Sequence, residues 1–403
     1  MGSGRADTAS ESRPAGGPVA RRAGAALALV SLALVLVATV APVDGPDSGM
    51  VRWCPVCGEL GLSDVIANVL LFLPLGAGLF WSGASAGRSV AAAVLLSAGI
   101  EFVQLRVMPG RDAALGDLLA NTAGAVLGVA LAWWLPVRRR SLARALAAAA
   151  AVQVVFAALG LLHRPYFPPT VYYGQWTADL GQYEHYRGRV LSAEIGGVPL
   201  PSWRLGESAA VARLLAQGEP VRVRGLAGPA TARFAPLFGI VDAAHREIVV
   251  VGPDRGDLVL HASTRAVDVR LRQPALRWRG AMSGIAPGDT LAVEVRRRAS
   301  GYCLALNGRE ICGLALTAGQ VWEFVQSVPH LPRAAGVALD CLAMALLGLL
   351  VGLVAPRGRA GYAPLVLTLL GAGTVPLLAG LAPTPLVQLA ALALGFGAGA
   401  RVP

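Results

Sequence analysis

Three pairs of polar residues are spaced so that helices would set each pair on one face. Asp64 and Asn68 are four apart, Glu101 and Gln104 three apart, and Asp117 and Asn121 four apart. Arg111 lies between the second and third pairs, just after the turn-forming run Met108-Pro109-Gly110. Carboxylates beside amides and an arginine can do general acid/base work on a polar head group. They can also hold a hard cation through oxygen ligands, or join helices by hydrogen bonds. No residue can be named catalytic on this pattern. The chain has no His with metal-ligand spacing, no Gly-x-Ser-x-Gly and no Gly-rich phosphate loop. The expectation is therefore no metal and no cofactor.

The surroundings give these residues their weight. The chain has 403 residues, 55% of them hydrophobic, with a mean hydropathy of +0.58. Charged residues make up 15%, against roughly 25% in an ordinary soluble domain. Apolar blocks of about 17 to 22 residues are long enough to cross the bilayer as helices. An ionisable residue at membrane depth marks function by default. The net charge of +11 comes from arginines that flank the apolar blocks or spread over one domain. No basic recognition helix or stacking motif accompanies them, which argues against a nucleic-acid partner.

Spans are expected at 24–42, 64–82, 89–107, 115–136, 142–162, 335–355, 361–381 and 384–400. Residues 1–20 are rich in Gly, Ser and Pro and read as a disordered N-terminus. The first apolar run is longer than most signal-peptide cores and reads as an uncleaved helix. If every span crosses, Arg21, Arg22, Arg88, Arg138, Arg139, Arg140, Arg144, Arg357, Arg359 and Arg401 share one side, which is then the cytoplasm. Arg52, Arg106 and Arg111 are the exceptions. The N-terminus is expected inside and residues 163–334 outside. All three polar pairs then fall at outer helix ends, in one leaflet, where they can converge.

The pieces "DVIANVLLFLPLG" (64–76), "SAGIEFVQ" (97–104) and "GRDAALGDLLANTAGAVLG" (110–128) resemble, in order and spacing, the VanZ-like family of membrane proteins. The resemblance covers about residues 24–162. It implies a cell-envelope setting and a link to glycopeptide resistance, in particular to teicoplanin, without a settled activity. Hydrogen-bonded glue and N-terminal capping by Asp64 and Asp117 are the plainer explanation of the polar residues. Glu101, inside "AGIEFVQL", fits that explanation least, because a buried unpaired carboxylate must protonate or find a partner. Pro74, Gly76, Gly124 and Gly128 read as packing devices. Gly124-x-x-x-Gly128 would let a neighbouring helix approach closely.

Five cysteines add constraints. Cys54 and Cys57 form "CPVC", which is half a zinc knuckle, a redox pair or a local disulfide. No second pair stands at zinc-like spacing, and an oxidising exterior favours the disulfide. In "GYCLALNGREICG", Asn307-Gly308 signals a two-residue hairpin turn. That register places Leu306 opposite Arg309, Ala305 opposite Glu310, Leu304 opposite Ile311, and Cys303 opposite Cys312. A non-hydrogen-bonded pair has Cα atoms about 4.5 Å apart, within reach of a cross-strand disulfide. Cys341 reads as a packing residue.

Residues 163–334 lose the long apolar blocks and gain short alternating runs between Gly, Pro and Asp turns. "GRVLSAEIGG", "PVRVRGLAG", "FAPLFGIVD", "EIVVVG", "DLVLHAS", "AVDVRLRQ", "TLAVEVRRR" and "YCLALNG" read as strands, and "SAAVARLLAQG" as a short helix. The hairpin pattern is similar to the laminin-G or concanavalin-A-like jelly-roll group. That resemblance implies glycan binding, with Trp176, Trp203 and Trp278 as contacts. The plainer alternative is that Trp203 and Trp278 belong to the core. "QWTADLGQYEHYRGR" (175–189) could instead form an interfacial belt. Asp242, Asp254 and Asp257 are explained as well by turn chemistry as by Ca²⁺.

The expectation is a membrane all-α bundle of about eight helices carrying an inserted extracytoplasmic all-β, jelly-roll-like sandwich. The parts are 1–20, a VanZ-like membrane domain 21–162, the sandwich 163–334 and C-terminal helices 335–403. The leading function is binding of a membrane lipid or cell-wall precursor, with glycan as a further partner of the outer domain. One alternative is a membrane-embedded enzyme acting on a lipid-linked head group. The other is a transporter or flippase, which the sparse inner-leaflet polar residues (Ser89, Ser97, Thr122) argue against.

Overall fold

The computed structural model describes residues 17–40, 51–56, 58, 60–107, 113–134, 140–178, 180, 183–299, 301–326 and 331–402. The chain divides into two compact units, Met1–Arg139 and Arg140–Pro403. Among the described residues seven helices are long and apolar enough to cross a membrane, and an eighth, Leu386–Arg401, is shorter. The protein is a multi-pass membrane protein with a β domain between its helical segments.

The first unit contains α1 (Pro18–Val40), β1 (Val51–Arg52), α2 (Gly61–Trp81), α3 (Ala86–Val107), β2 (Ala113–Ala114) and α4 (Leu115–Trp134). The helix α1 begins at Pro18, so the end of the stretch read as disordered is helical; residues 1–16 lie outside the described residues. The glycines of α2 and α4 explain how closely these two helices pack. A Cβ on Gly128 would come within 2.0 Å of the Leu73 carbonyl oxygen, and one on Gly124 within 2.4 Å of the Val69 oxygen. Across the same seam, a Cβ on Gly76 would lie 2.3 Å from the Ala125 oxygen. Hydrocarbon gives no hydrophobic gain for helix association, so close backbone approach supplies the contact. Val35, Phe72, Leu75, Ala93, Ile100 and Ala125 form the core of the unit.

Short parallel pairing of β1 with β2 ties the loop after α1 to the start of α4. That loop leads into Cys54 and Pro55, whose carbonyls lie against Gly116 in the first turn of α4. Cys54 is disulfide-bonded, and Cys57 lies outside the described residues.

The second unit begins with α5 (Leu142–Leu162). It continues through β3 (Tyr172–Trp176), β4 (Arg189–Ile195), β5 (Val198–Pro199), α6 (Ser208–Gln217), β6 (Val221–Leu226) and β7 (Phe238–Asp242). Then come β8 (Glu247–Asp254), β9 (Asp257–Ala262), β10 (Leu276–Trp278), β11 (Thr290–Arg298), β12 (Gly301–Leu306) and β13 (Arg309–Leu314). The helices α7 (Arg333–Val354), α8 (Tyr362–Ala379) and α9 (Leu386–Arg401) end it.

The strands form two antiparallel sheets, ordered β10-β9-β8-β7-β3 and β13-β12-β11-β6-β4-β5. Phe238, Ile240, Val249, Val251, Leu258 and Leu260 of the first sheet share a core with Ile195, Val223, Val293, Val295, Leu304 and Leu306 of the second. This is a β-sandwich. On the outer face of the second sheet, Glu194, Arg222 and Glu294 form a cross-strand ion-pair ladder, and Arg296 pairs with Glu294 along β11.

The Asn307-Gly308 hairpin takes the expected register, with Leu306 opposite Arg309, Ala305 opposite Glu310 and Leu304 opposite Ile311. Both turn residues have positive φ, as a type I′ turn requires. Cys303 and Cys312 form the cross-strand disulfide, with Cα atoms 4.0 Å apart. The run "VDVRLR" is different. Arg265–Val269 is a 3₁₀ turn ended by Arg270 at φ 56°, not a strand. Ala266 and Leu271 are both buried, so the core favours a turn that places them together over the period-two pattern. In "QWTADLGQYEHYRGR", Trp176 ends β3 and Tyr186 is 1% exposed in the sandwich core, so these residues serve the β domain rather than a belt.

The helices α7 and α9 pack through reciprocal glycines. Gly348 and Gly352 face Leu392 and Phe396, and Gly395 and Gly399 face Ala345 and Leu349. Arg140 closes one end of this pair. Its guanidinium donates to the carbonyls of Gly352 and Ala355 at the C-terminal end of α7, and to those of Gly399, Ala400 and Val402 at the C-terminal end of α9.

Candidate functional site

Every amide of the three sequence pairs makes a hydrogen bond to another element of the first unit. Asn68 Nδ2 on α2 donates to Asp117 Oδ1 on α4 at 2.8 Å. Gln104 Nε2 on α3 donates to the Thr39 carbonyl of α1 at 3.1 Å. Asn121 Nδ2 on α4 donates to Ser97 Oγ on α3 at 2.9 Å. Glu101 Oε2 accepts the backbone N–H of Ala114 in β2 at 2.9 Å, which fixes the approach to α4. Asp64 is exposed in the first turn of α2, where its charge complements the helix dipole. Arg111 lies outside the described residues.

These bonds join α2 to α4 and α4 to α3, and helical spacing sets them in line. Asp117 and Asn121 share a face of α4, and Ser97 and Glu101 share a face of α3. The line therefore runs from Asn68 through Asp117 and Asn121 to Ser97 and Glu101. Ser97 was read from the sequence as an inner-leaflet residue; its bond to Asn121 puts it in this chain. Its signal was its position four before Glu101.

The burial is uneven. Asn121 is 2% exposed, Ser97 0% and Gln104 6%. Asn121 Oδ1 is buried and has no hydrogen-bond partner among the described residues. An unsatisfied buried carbonyl costs roughly 1–3 kcal/mol, so a donor from water or a ligand is favoured there. Residues 22–136 match a family model described as VanZ/LLP1. The match spans α1 through α4, the helices that carry the polar chain. It stops before α5, which the sequence resemblance includes and which packs in the second unit. No curated protein and no solved structure matches the chain.

In the β domain, Trp176 and Trp278 pack against the core, and the Trp176 indole donates to the Leu200 carbonyl at 2.9 Å. Arg309 lies over the Trp278 ring. Trp203 is 77% exposed. Asp242 accepts the backbone N–H groups of Ala244 and Arg246 and pairs with the Arg246 side chain, which is turn chemistry. Asp254 and Asp257 both pair with Arg277.

Proposed function

We propose that the protein is a cell-envelope membrane protein that binds the polar head group of a membrane lipid or lipid-linked cell-wall precursor between α2, α3 and α4. Binding there lowers the access of teicoplanin-type glycopeptides to their target. The observation that carries this reading is the buried, unpartnered Asn121 carbonyl within a chain of amides and carboxylates. The family match over the same helices supports the envelope setting. The arginine distribution supports an outer-leaflet position for the site, with the N-terminus inside and residues 163–334 outside.

The test is made in cells expressing the chain. Wild type is expected to raise the inhibitory teicoplanin concentration severalfold. Glu101→Gln and Asp117→Asn are expected to abolish that rise at equal membrane levels. Protease added to the same intact cells should cut within 163–334. Full protection of that segment, or an undiminished phenotype in both variants, contradicts the proposal.

A further inference from the structure

A second polar cluster lies in the other unit, where the β domain meets α7 and α9. After β13 the chain enters a 3₁₀ turn, Ala318–Phe324. Thr317 and Gln320 cap its start reciprocally. Gln388 of α9, 3% exposed, reaches into that start. Its Oε1 accepts the Gly319 N–H at 3.1 Å, and its Nε2 donates to Thr317 Oγ1 at 2.9 Å and to Asp340 Oδ2 of α7 at 3.4 Å. The Trp322 indole donates to Asp340 Oδ1 at 3.0 Å. A Cβ on Gly319 would come within 2.7 Å of the Gln388 amide, so a larger residue there would displace that amide. Asp340 is 8% exposed although it lies in an apolar helix. These contacts seat the turn on two membrane helices.

Glu323 belongs to the same turn and accepts from Gln320 Nε2 at 3.1 Å. Burial, and then the Asp340 charge, push its carboxyl up to about 7 from the usual 4.5. Gln320 and Arg277 pull the other way, but Arg277 on β10 is itself held by Asp254 and Asp257. From α5, His163 meets the turn edge-on at Phe324, and burial holds its imidazole down near 4. That ring is neutral across the range in which Glu323 titrates and supplies no compensating charge. Arg272 donates its backbone N–H to the Phe324 carbonyl.

We propose that the Ala318–Phe324 turn is a proton-dependent latch, seated on α7 and α9 while the Glu323–Asp340 carboxyl pair carries a proton and released when both are charged. Trp322, next to Glu323 in the turn, holds Asp340, and two carboxylates that repel in a partly desolvated setting tolerate one charge better than two. The seated turn binds more protons than the released one. Its stabilisation is therefore complete below about 4.5, and it is lost as the pH rises through about 7.

Hydrogen exchange of the full-length protein in detergent tests this, read on peptides covering 316–326 and corrected for the intrinsic pH dependence of exchange. Between pH 5 and pH 8 wild-type protection is expected to fall about tenfold or more. Glu323→Gln, uncharged at both values, is expected to stay protected at both. Gln388→Ala, which removes the amide joining Thr317, Gly319 and Asp340, is expected to be unprotected at both. Peptides of β12, which holds no histidine or carboxylate, should not respond to pH. Equal wild-type protection at the two pH values overturns the latch. So does the same loss in Glu323→Gln, or retained protection in Gln388→Ala.

Discussion

Gly128→Leu is expected to force α4 away from α2 and to cost about 3 kcal/mol of stability, the upper end for overpacking. The first added carbon would sit 2.0 Å from the Leu73 carbonyl oxygen and 2.9 Å from the Ala77 nitrogen. Those are backbone atoms of a helix, so no side-chain rotation relieves the overlap. The seam also carries the Asn68–Asp117 hydrogen bond, which the separation would break. Gly99→Leu is the control. It adds the same side chain on α3, where nothing lies within 4 Å of the new Cβ. Thermal unfolding in detergent should show a large drop for Gly128→Leu and almost none for Gly99→Leu. Equal melting of the two variants would remove the close α2–α4 seam from this account.

Arg140→Ala is the second large effect expected. The last carbonyls of a helix have no partner within it, and a cation near them is favoured by the helix dipole. Arg140 serves two such ends at once, donating to Gly352 and Ala355 at the end of α7 and to Gly399, Ala400 and Val402 at the end of α9. Arg357 adds a further bond to Val402 but reaches neither Gly352 nor Gly399. The side chain is partly exposed, which dilutes each bond, so the expected loss is about 2–4 kcal/mol. Arg140→Lys should recover only part of it, because an ammonium does not present the planar fork that spans both ends. Hydrogen exchange at 350–355 and 397–402 reads the effect directly. Unchanged exchange in Arg140→Ala, or complete rescue by lysine, would show that the guanidinium does not hold these ends.

The same sequence that hides Arg140's role displays others openly. Length and hydropathy are local properties, so the membrane helices stand out as apolar blocks. The Asn307-Gly308 hairpin was also legible, because a two-residue turn with two positive φ values leaves one register and that register pairs Cys303 with Cys312. Helical spacing pointed to Asn68, Asp117 and Asn121, but not to their partners. Which amide meets which partner depends on how helices far apart in sequence are packed, and the bond of Asn121 to Ser97 is hidden for that reason.

The period-two rule failed at "VDVRLR", where burial of Ala266 and Leu271 outweighs alternation. The short strands β3 and β10 were missed because each is half of a pairing made elsewhere in the chain. Asp340 and Gln388 stood visibly inside apolar runs. Their meeting with a turn at 318–324 is purely tertiary, and nothing in their spacing announces it.

The central claim is that the polar chain between α2, α3 and α4 receives a lipid head group. Native mass spectrometry of the protein released from gentle detergent tests it most directly, comparing wild type with Asn121→Ala. Wild type is expected to retain a defined membrane lipid or lipid-linked sugar, and loss of the buried amide to remove it while the protein stays folded. The same lipids on both proteins would mean that these residues only hold the helices together.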